Sequence, residues 1–246
     1  MKKEDTVEKN SPWSHAVSGI AIGLGICVAG LSMSHALFEA RSSQRSVTVK
    51  GLAEREVGAD LVVWPLTFEV MSNDLNDLQA QVEAKRQTIR QYLGAAGFVE
   101  EEISQAAPRI RDTQSEVVYG QAAPPKFRYI AQATLTLRTD KVAVVKAAIE
   151  KAGDLIGKGI VLVGENYGRT TEFLFTGLND IKPAMIEEAT KNARTAAEQF
   201  AKDSGSKVGK IRSASQGLFT ITDRDMNSPD RKNVRVVTTV EYYLSD

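Results

Sequence analysis

The chain has 246 residues and balances 31 Lys and Arg against 31 Asp and Glu, for a formal net charge of zero. That balance argues against a polyanion-binding domain, and no nucleic-acid partner is expected. The densest basic stretch, Lys202 to Arg235, is interrupted by Asp203, Asp223, Asp225 and Asp230 and carries no aromatic stacking platform.

Residues 1–15 read as a short N-terminal tail. From Ala16 to Phe38 there is no Asp, Glu, Lys or Arg, which suits a helix of the roughly 20 apolar residues needed to cross a bilayer. Residues 16–38 are therefore expected to be a transmembrane anchor. A cleaved signal peptide is the alternative, with Ser34-His35-Ala36 as its cleavage site. The long leader with Glu4, Asp5 and Glu8, and an apolar run beyond the usual 7–15 residues, favour an uncleaved anchor. Lys2, Lys3 and Lys9 favour an N-terminus in the cytoplasm and a main domain outside it. Gly19 and Gly23 form a GxxxG and are a candidate helix–helix contact, although glycine is common in spanning helices whatever they touch.

This segment also decides what chemistry is left elsewhere. It holds or borders His15, His35 and Cys27, which are every His and Cys of the chain. As a helix it separates the two imidazoles by about 30 Å, too far for one metal. The rest of the chain is left without Ser-His-Asp triads, Cys-His pairs, structural zinc or histidine acid–base catalysis. Neither metal nor cofactor is expected.

Residues 39–45 read as a polar linker, and 46–246 as the folded domain. SVTVKGLAEREV alternates as a strand, Gly58-Ala59-Asp60 turns the chain, and a second strand puts Val62, Trp64, Leu66, Phe68 and Val70 on one face. Pro65, on the opposite face, suggests a strand edge or a bulge. Ser72-Asn73-Asp74 caps an amphipathic helix of about six turns carrying Leu75, Leu78, Val82, Ile89 and Leu93. A long hairpin follows, PRIRDTQSEVVY and KFRYIAQATLTLRT, joined by GQAAPP. Thr139-Asp140 caps a helix with a buried stripe of Val142, Val145, Ile149, Ala152 and Ile156.

GIVLVGENYGRTTEFLFTGL reads as one broken or two short strands. The longest helix then runs from about Asn179 to Ser204, with Pro183 in its first turns. Its inner stripe is Leu178, Ile181, Met185, Ala189, Ala193, Ala196 and Phe200, and Gly205 ends it. A second long hairpin around RDMNSPDRKN closes the chain. The whole is expected to be α+β: antiparallel sheets built from long β-hairpins, with amphipathic helices packed on one face, after one N-terminal transmembrane helix.

The catalytic candidates are weak. Ser204 and Lys207 match S-x-x-K, but Ser-Gly at a helix end is first a stop signal. Glu54/Glu56 and Asp223/Asp225 are carboxylate pairs, each with an intervening arginine, and read more readily as solvated charges. Gly157-Lys158-Gly159 precedes a strand, whereas a phosphate loop follows one. Trp64, Tyr129, Phe173, Phe175, Tyr242 and Tyr243 could line a cleft, although at strand spacing they are more often core.

The order of elements and three stretches resemble the SIMPL-domain family, which is widespread in bacteria and usually exported. They are VTVKGLAEREVGADLVVWPLTFEV, YIAQATLTLRT and LNDIKPAMIEEATKNARTAAEQFAKDSGSKVGKI. Where the family often has G-x-G and Pro-Asp, this chain has Gly51-Leu52-Ala53 and Ala59-Asp60, as in a membrane-anchored subfamily. The resemblance implies no enzymatic activity and no catalytic residues. It implies a link to envelope or oxidative stress, and self-association, since one periplasmic immunogen of this type assembles into a large ring-like homo-oligomer.

The expectation is thus a non-enzymatic, single-pass protein of the bacterial inner membrane, periplasmic in its main domain and homo-oligomeric. Strand edges on the hairpins would pair between copies, blocked or selected by Lys126 and Arg128 on one hairpin and Arg231, Lys232 and Arg235 on the other. The alternative is a binding module for a small ligand or envelope polymer, in a cleft between sheet and helices. A serine-lysine or carboxylate hydrolase comes third.

Overall fold

The structure is a computed structural model, and it describes residues 19, 23–34, 45–115, 126–163 and 170–245. The chain divides into two compact units. One comprises Met1–Leu52, Glu187–Gly217 and Val237–Asp246; the other comprises Ala53–Ile186 and Leu218–Val236.

Helix α1 covers residues 23–34, and residue 19 is also helical. No described helix is long and apolar enough to cross a membrane. The rest of the expected anchor, residues 16–18, 20–22 and 35–38, lies outside the described residues.

The larger unit is built on β2 (Leu61–Ser72) and β5 (Tyr129–Thr139), paired antiparallel from Val62↔Thr139 to Ser72↔Tyr129. The alternation expected for both strands is present: Val62, Trp64, Leu66, Phe68 and Val70 are buried, as are Ala131, Ala133, Leu135 and Leu137. Two short strands, β3 (Ile103–Gln105) and β4 (Arg109–Asp112), pair with β5, and β6 (Glu172–Leu174) pairs with β2. Pro65 faces Thr136 in a strand that is central by order. On the β6 side, among the described residues, pairing runs to Val63, and Val163 N–H donates to the Thr67 carbonyl. The proline, with no N–H to offer, lies between these contacts.

Helix α2 (Leu75–Ala95) covers one face of this sheet. Asp74 caps it, its side chain accepting from the N–H groups of Asn76 and Asp77 at 2.8 and 2.9 Å. Leu78, Val82, Ile89 and Leu93 then join Leu66, Phe68, Leu135 and Leu137 in one core. Each such side chain contributes about 1.5–3 kcal/mol on burial.

The expected helix after Thr139 is two pieces, α3 (Val142–Glu150) and α4 (Asp154–Gly157). The break changes the register, so that Leu155 is buried and Ile156 is 64% exposed, contrary to the expected stripe.

In the other unit, α5 (Leu178–Asp203) enters with its second half, from Glu187 on. Ala189, Ala193, Ala197 and Ala201 are buried there, while Phe200 is 61% exposed. The stripe continues in steps of four beyond Ala193; the expected Ala196 packs against its edge, half-buried, and the expected Phe200 is corrected. Small side chains are needed because β1 (Ser46–Gly58) runs directly against the helix at Gly51. Asn192 Nδ2 donates to the Leu52 carbonyl at 2.8 Å.

β1 does not pair with β2, its sequence neighbour. Its partner is β9 (Arg231–Ser245), whose other side carries β7 (Lys207–Gln216) and β8 (Thr220–Asp223). The strands of the first expected pair therefore belong to different sheets. β7 is irregular, with register shifts between Val208 and Ile211 and between Ile211 and Ser213.

The fold is α+β with antiparallel sheets, as the sequence pattern implies.

Candidate functional site

Two features are candidates: a groove between α2 and β4 in the larger unit, and the strand edges with their charged residues.

The groove has a volume of about 390 Å³ and is walled by Leu75, Leu78 and Val82 of α2 and by Pro108 and Ile110 of the β4 segment. Leu75 and Ile110 are 48% and 55% exposed, unusually open for such side chains. Arg86 also lines it, yet only 8% of that residue is exposed. Its Nη2 donates to the Ala106 carbonyl at 2.8 Å, and its Nη1 lies 3.7 Å from Glu83 Oε2. The Nε is buried and has no hydrogen-bond partner. A buried donor left without a partner costs about 1–3 kcal/mol, more when charged.

A larger hollow of about 660 Å³ lies where the end of α2 meets α3 and α4, with Lys151, Asp154 and Lys158 at its edge. Its phenol, Tyr92, already donates to the Ala148 carbonyl at 2.5 Å. Burial, and to a lesser degree Asp154, pushes that phenol above its ordinary pKa. The hollow therefore contributes no unpaired buried group.

The charged candidates are engaged with one another. Arg235 of β9 lies 3.4 Å from Glu54 on the neighbouring β1, and Arg224, just after β8, lies 3.2 Å from Glu56 and 2.8 Å from Asp225. Lys232, 8% exposed, pairs with Asp223 directly opposite on β8. Each suspected carboxylate thus faces a cation. Asp225 is held below the ordinary aspartate range by the Arg224 hydrogen bond, whereas a general acid needs a raised pKa.

Arg128 is clamped to Asp112 by Nε and Nη2 at 3.1 and 3.0 Å, and its guanidinium stands 4.8 Å from the Tyr129 ring centre. The clamp closes the base of its hairpin. Lys126 lies over Phe127 at 5.4 Å, and Arg231 is exposed at the start of β9.

The remaining candidates are scattered. Ser204 Oγ donates to the Ala201 carbonyl at 3.0 Å, Gly205 adopts φ +68, and Lys207 opens β7: the arrangement of a helix stop. Trp64 and Phe173 belong to the core of the larger unit, with Tyr129 packed against it, and Tyr242 belongs to the core of the smaller. Gly19 and Gly23 are exposed, with nothing near their missing side chains. Among the described residues no group of three His, Cys, Asp or Glu is placed to hold a metal.

The strand edges differ in character. β7 carries Lys210 and Arg212 and is bulged, which protects an edge against pairing. β8 pairs with β9 alone among the described residues, and Ser213 to Thr222 contains no charge and no proline. Leu218 beside it is 90% exposed, and Ile221 within it 39%. β4 pairs with β5.

The model of one protein family, SIMPL, described as a protein of unknown function (DUF541), matches residues 47–241. The chain belongs to the SIMPL family. In this SIMPL protein the match covers the nine strands of the described residues save the outermost residues of β1 and β9. No curated protein matches the chain.

Sequence reasoning missed Arg86 and β3. A signal for Arg86 was there: it fills the slot four residues after Val82 and three before Ile89, in a stripe that is otherwise apolar.

Proposed function

We propose that this chain is a non-enzymatic, membrane-anchored protein of the bacterial cell envelope that self-associates through a sheet edge. The observation that carries the reading is the β8 edge: without a strand partner on its outer side among the described residues, charged only at Asp223, which Lys232 neutralises, and flanked by a nearly fully exposed leucine. Such an edge is a template for another strand. The bulged and charged β7, on the same side of β9, directs pairing toward β8. Residues 16–38 supply the anchor, supported by their lack of charge and by the helix at 23–34. The main domain then lies on the periplasmic side. Mass measurement in mild detergent tests the assembly, and a strict monomer at micromolar concentration, with and without residues 1–45, ends it.

A second reading, a binding module with its cleft between sheet and helix, is favoured by the groove that Arg86 lines. The hydrolase reading has no such support, since the suspected carboxylates are ion-paired.

A further inference from the structure

One end of the smaller unit gathers cations that have nothing to pair with. α5 ends there at Asp203, β7 starts at Lys207, and β9 finishes at Ser245, which faces Lys207 in register. β1 starts at the same end, because the Leu244 N–H donates to the Arg45 carbonyl. Lys202, in the last turn of α5, and Lys207 line one open hollow of about 350 Å³, and Lys210 follows on β7. None of these three ammonium groups has a carboxylate or hydrogen-bond partner among the described residues.

The acidic groups nearby are engaged. Glu198 lies 3.0 Å from Arg194, and Glu241 lies 2.9 Å from Arg212 and accepts from Ser46 Oγ at 2.7 Å. Asp203 accepts from Gln199 Nε2 at 3.0 Å and offsets one lysine, so an excess of positive charge remains. Lys202 alone would be accounted for by the carbonyls at the end of α5. That leaves Lys207 and Lys210 without a role. Two further observations concern the same end. Phe200, also in the last turn of α5, is 61% exposed, and Tyr243 is 38% exposed with the Arg212 guanidinium 5.8 Å from its ring centre. The uncharged stretch of the chain is also tied here: only residues 39–45 separate it from β1, a reach of at most about 25 Å.

We infer that this end of the smaller unit docks on the anionic headgroup surface of the bilayer that holds residues 16–38. Lys202, Lys207 and Lys210 meet the headgroups, and Phe200 enters the interface beside them. The inference rests on the reading of residues 16–38 as an anchor. A lysine close to an anionic surface gains about fivefold in binding, an attraction that falls off within a Debye length. Exposed aromatic rings beside cations suit the boundary between headgroup and acyl chain. Three lysines bind weakly by themselves. The tether makes their contact intramolecular, so that modest attraction is enough. A free anion requires enclosure, whereas this hollow is open and its apolar walls are Ala201 and Val208. A lipid surface requires none.

The test uses the full chain in nanodiscs, with Ser204→Cys in a Cys27→Ser background carrying a bimane, and with lipid that bears a nitroxide on its headgroup. Quenching is expected to be strong in discs of equal phosphatidylglycerol and phosphatidylcholine and weak in phosphatidylcholine alone. High salt should remove the difference. The same label at Lys191→Cys, about 18 Å back along α5, should be quenched weakly in both lipids. Lys202→Glu combined with Lys207→Glu should lower the docked-to-undocked ratio in the mixed discs at least about tenfold, with a melting curve to show that the variant is folded. Quenching at Ser204→Cys that is equal in the two lipids, or that survives the double substitution, overturns the inference and leaves a domain held near the bilayer by its tether alone. Phosphate that releases the bimane where chloride of the same ionic strength does not overturns the lipid in favour of a free anion. A chain that stays in the discs unquenched in both lipids overturns the docking and leaves the anchor. A chain that elutes apart from the discs overturns the anchor, and the docking with it.

Discussion

Gly51 on β1 lies so close beneath α5 that any side-chain carbon on it would overlap the carbonyl oxygen of Ala189 and the amide nitrogen of Ala193. The obstacle is helix backbone, which cannot swing aside as a side chain would. Gly51→Ala is therefore expected to destabilise the chain by about 1–3 kcal/mol, the range for forcing extra volume into a packed site. Asn192→Ala, which loses only the bond to Leu52, is expected to cost about 1 kcal/mol. Urea denaturation followed by circular dichroism compares the two, and a Gly51→Ala chain as stable as the parent contradicts the packing.

Acid should weaken the fold through Asp230 and Glu102. Lys146, 2.9 Å away, holds Asp230 below the ordinary aspartate range, against the upward push of burial. For Glu102 burial also pushes up, but hydrogen bonds from Thr139, the Val99 N–H and Lys141 together hold it below the glutamate range. Both carboxylates are more acidic folded than unfolded. Their contribution is complete above the unfolded pKa values and is lost as pH falls through the lower, folded ones. Asp230→Asn should flatten part of that acid limb in denaturation midpoints taken from neutral to acid pH. An unchanged slope removes Asp230 from the account.

Self-association should respond to β8 and not to the clamped hairpin. Ile221→Lys and Leu218→Lys place charge on an exposed edge, at a stability cost within about 0.5 kcal/mol. Light scattering after gel filtration is expected to show each variant shifted toward monomer. Arg128→Ala, which loses the Asp112 clamp, is expected to leave the mass unchanged. The opposite pattern would move the contact to the other hairpin.

Topology can be read with a single thiol. Met226 is 98% exposed in the loop between β8 and β9. Met226→Cys in a Cys27→Ser background should react with a membrane-impermeant maleimide in intact spheroplasts. Labelling that needs lysis of the inner membrane would put the domain on the cytoplasmic side.

Local pattern made most elements legible. Asp74 announced α2, and strict alternation announced β2 and β5, because caps and period-two burial are written within a few neighbouring residues. Partnership between distant strands is not written that way. The alternation of β1 fits a hairpin with β2 as well as it fits β9, and only the assembled sheet, with Ser46 Oγ donating to Glu241 Oε1 at 2.7 Å, separates the two. The stripe errors at Ile156 and Phe200 have a related cause. A helix break and the close approach of Gly51 each shift a register that periodicity alone carries straight on. The signal at Arg86 is easily passed over, because a long cation in an apolar stripe ordinarily extends its head to water.

β9 is the last of the strands to be made, yet it is the neighbour of the first. The Leu244 N–H donates to the Arg45 carbonyl at 2.9 Å, and β7 and β8 lean on the same fifteen-residue strand. Until those residues emerge, β1 has no partner and Gly51 meets its helix without a completed sheet beneath it. Folding of this sheet must then wait until Arg231–Ser245 has been made, and closing so long a loop is slow. During synthesis β1 therefore stays open while β2 to β8 are made, whereas β8, made just before β9, finds its partner almost at once.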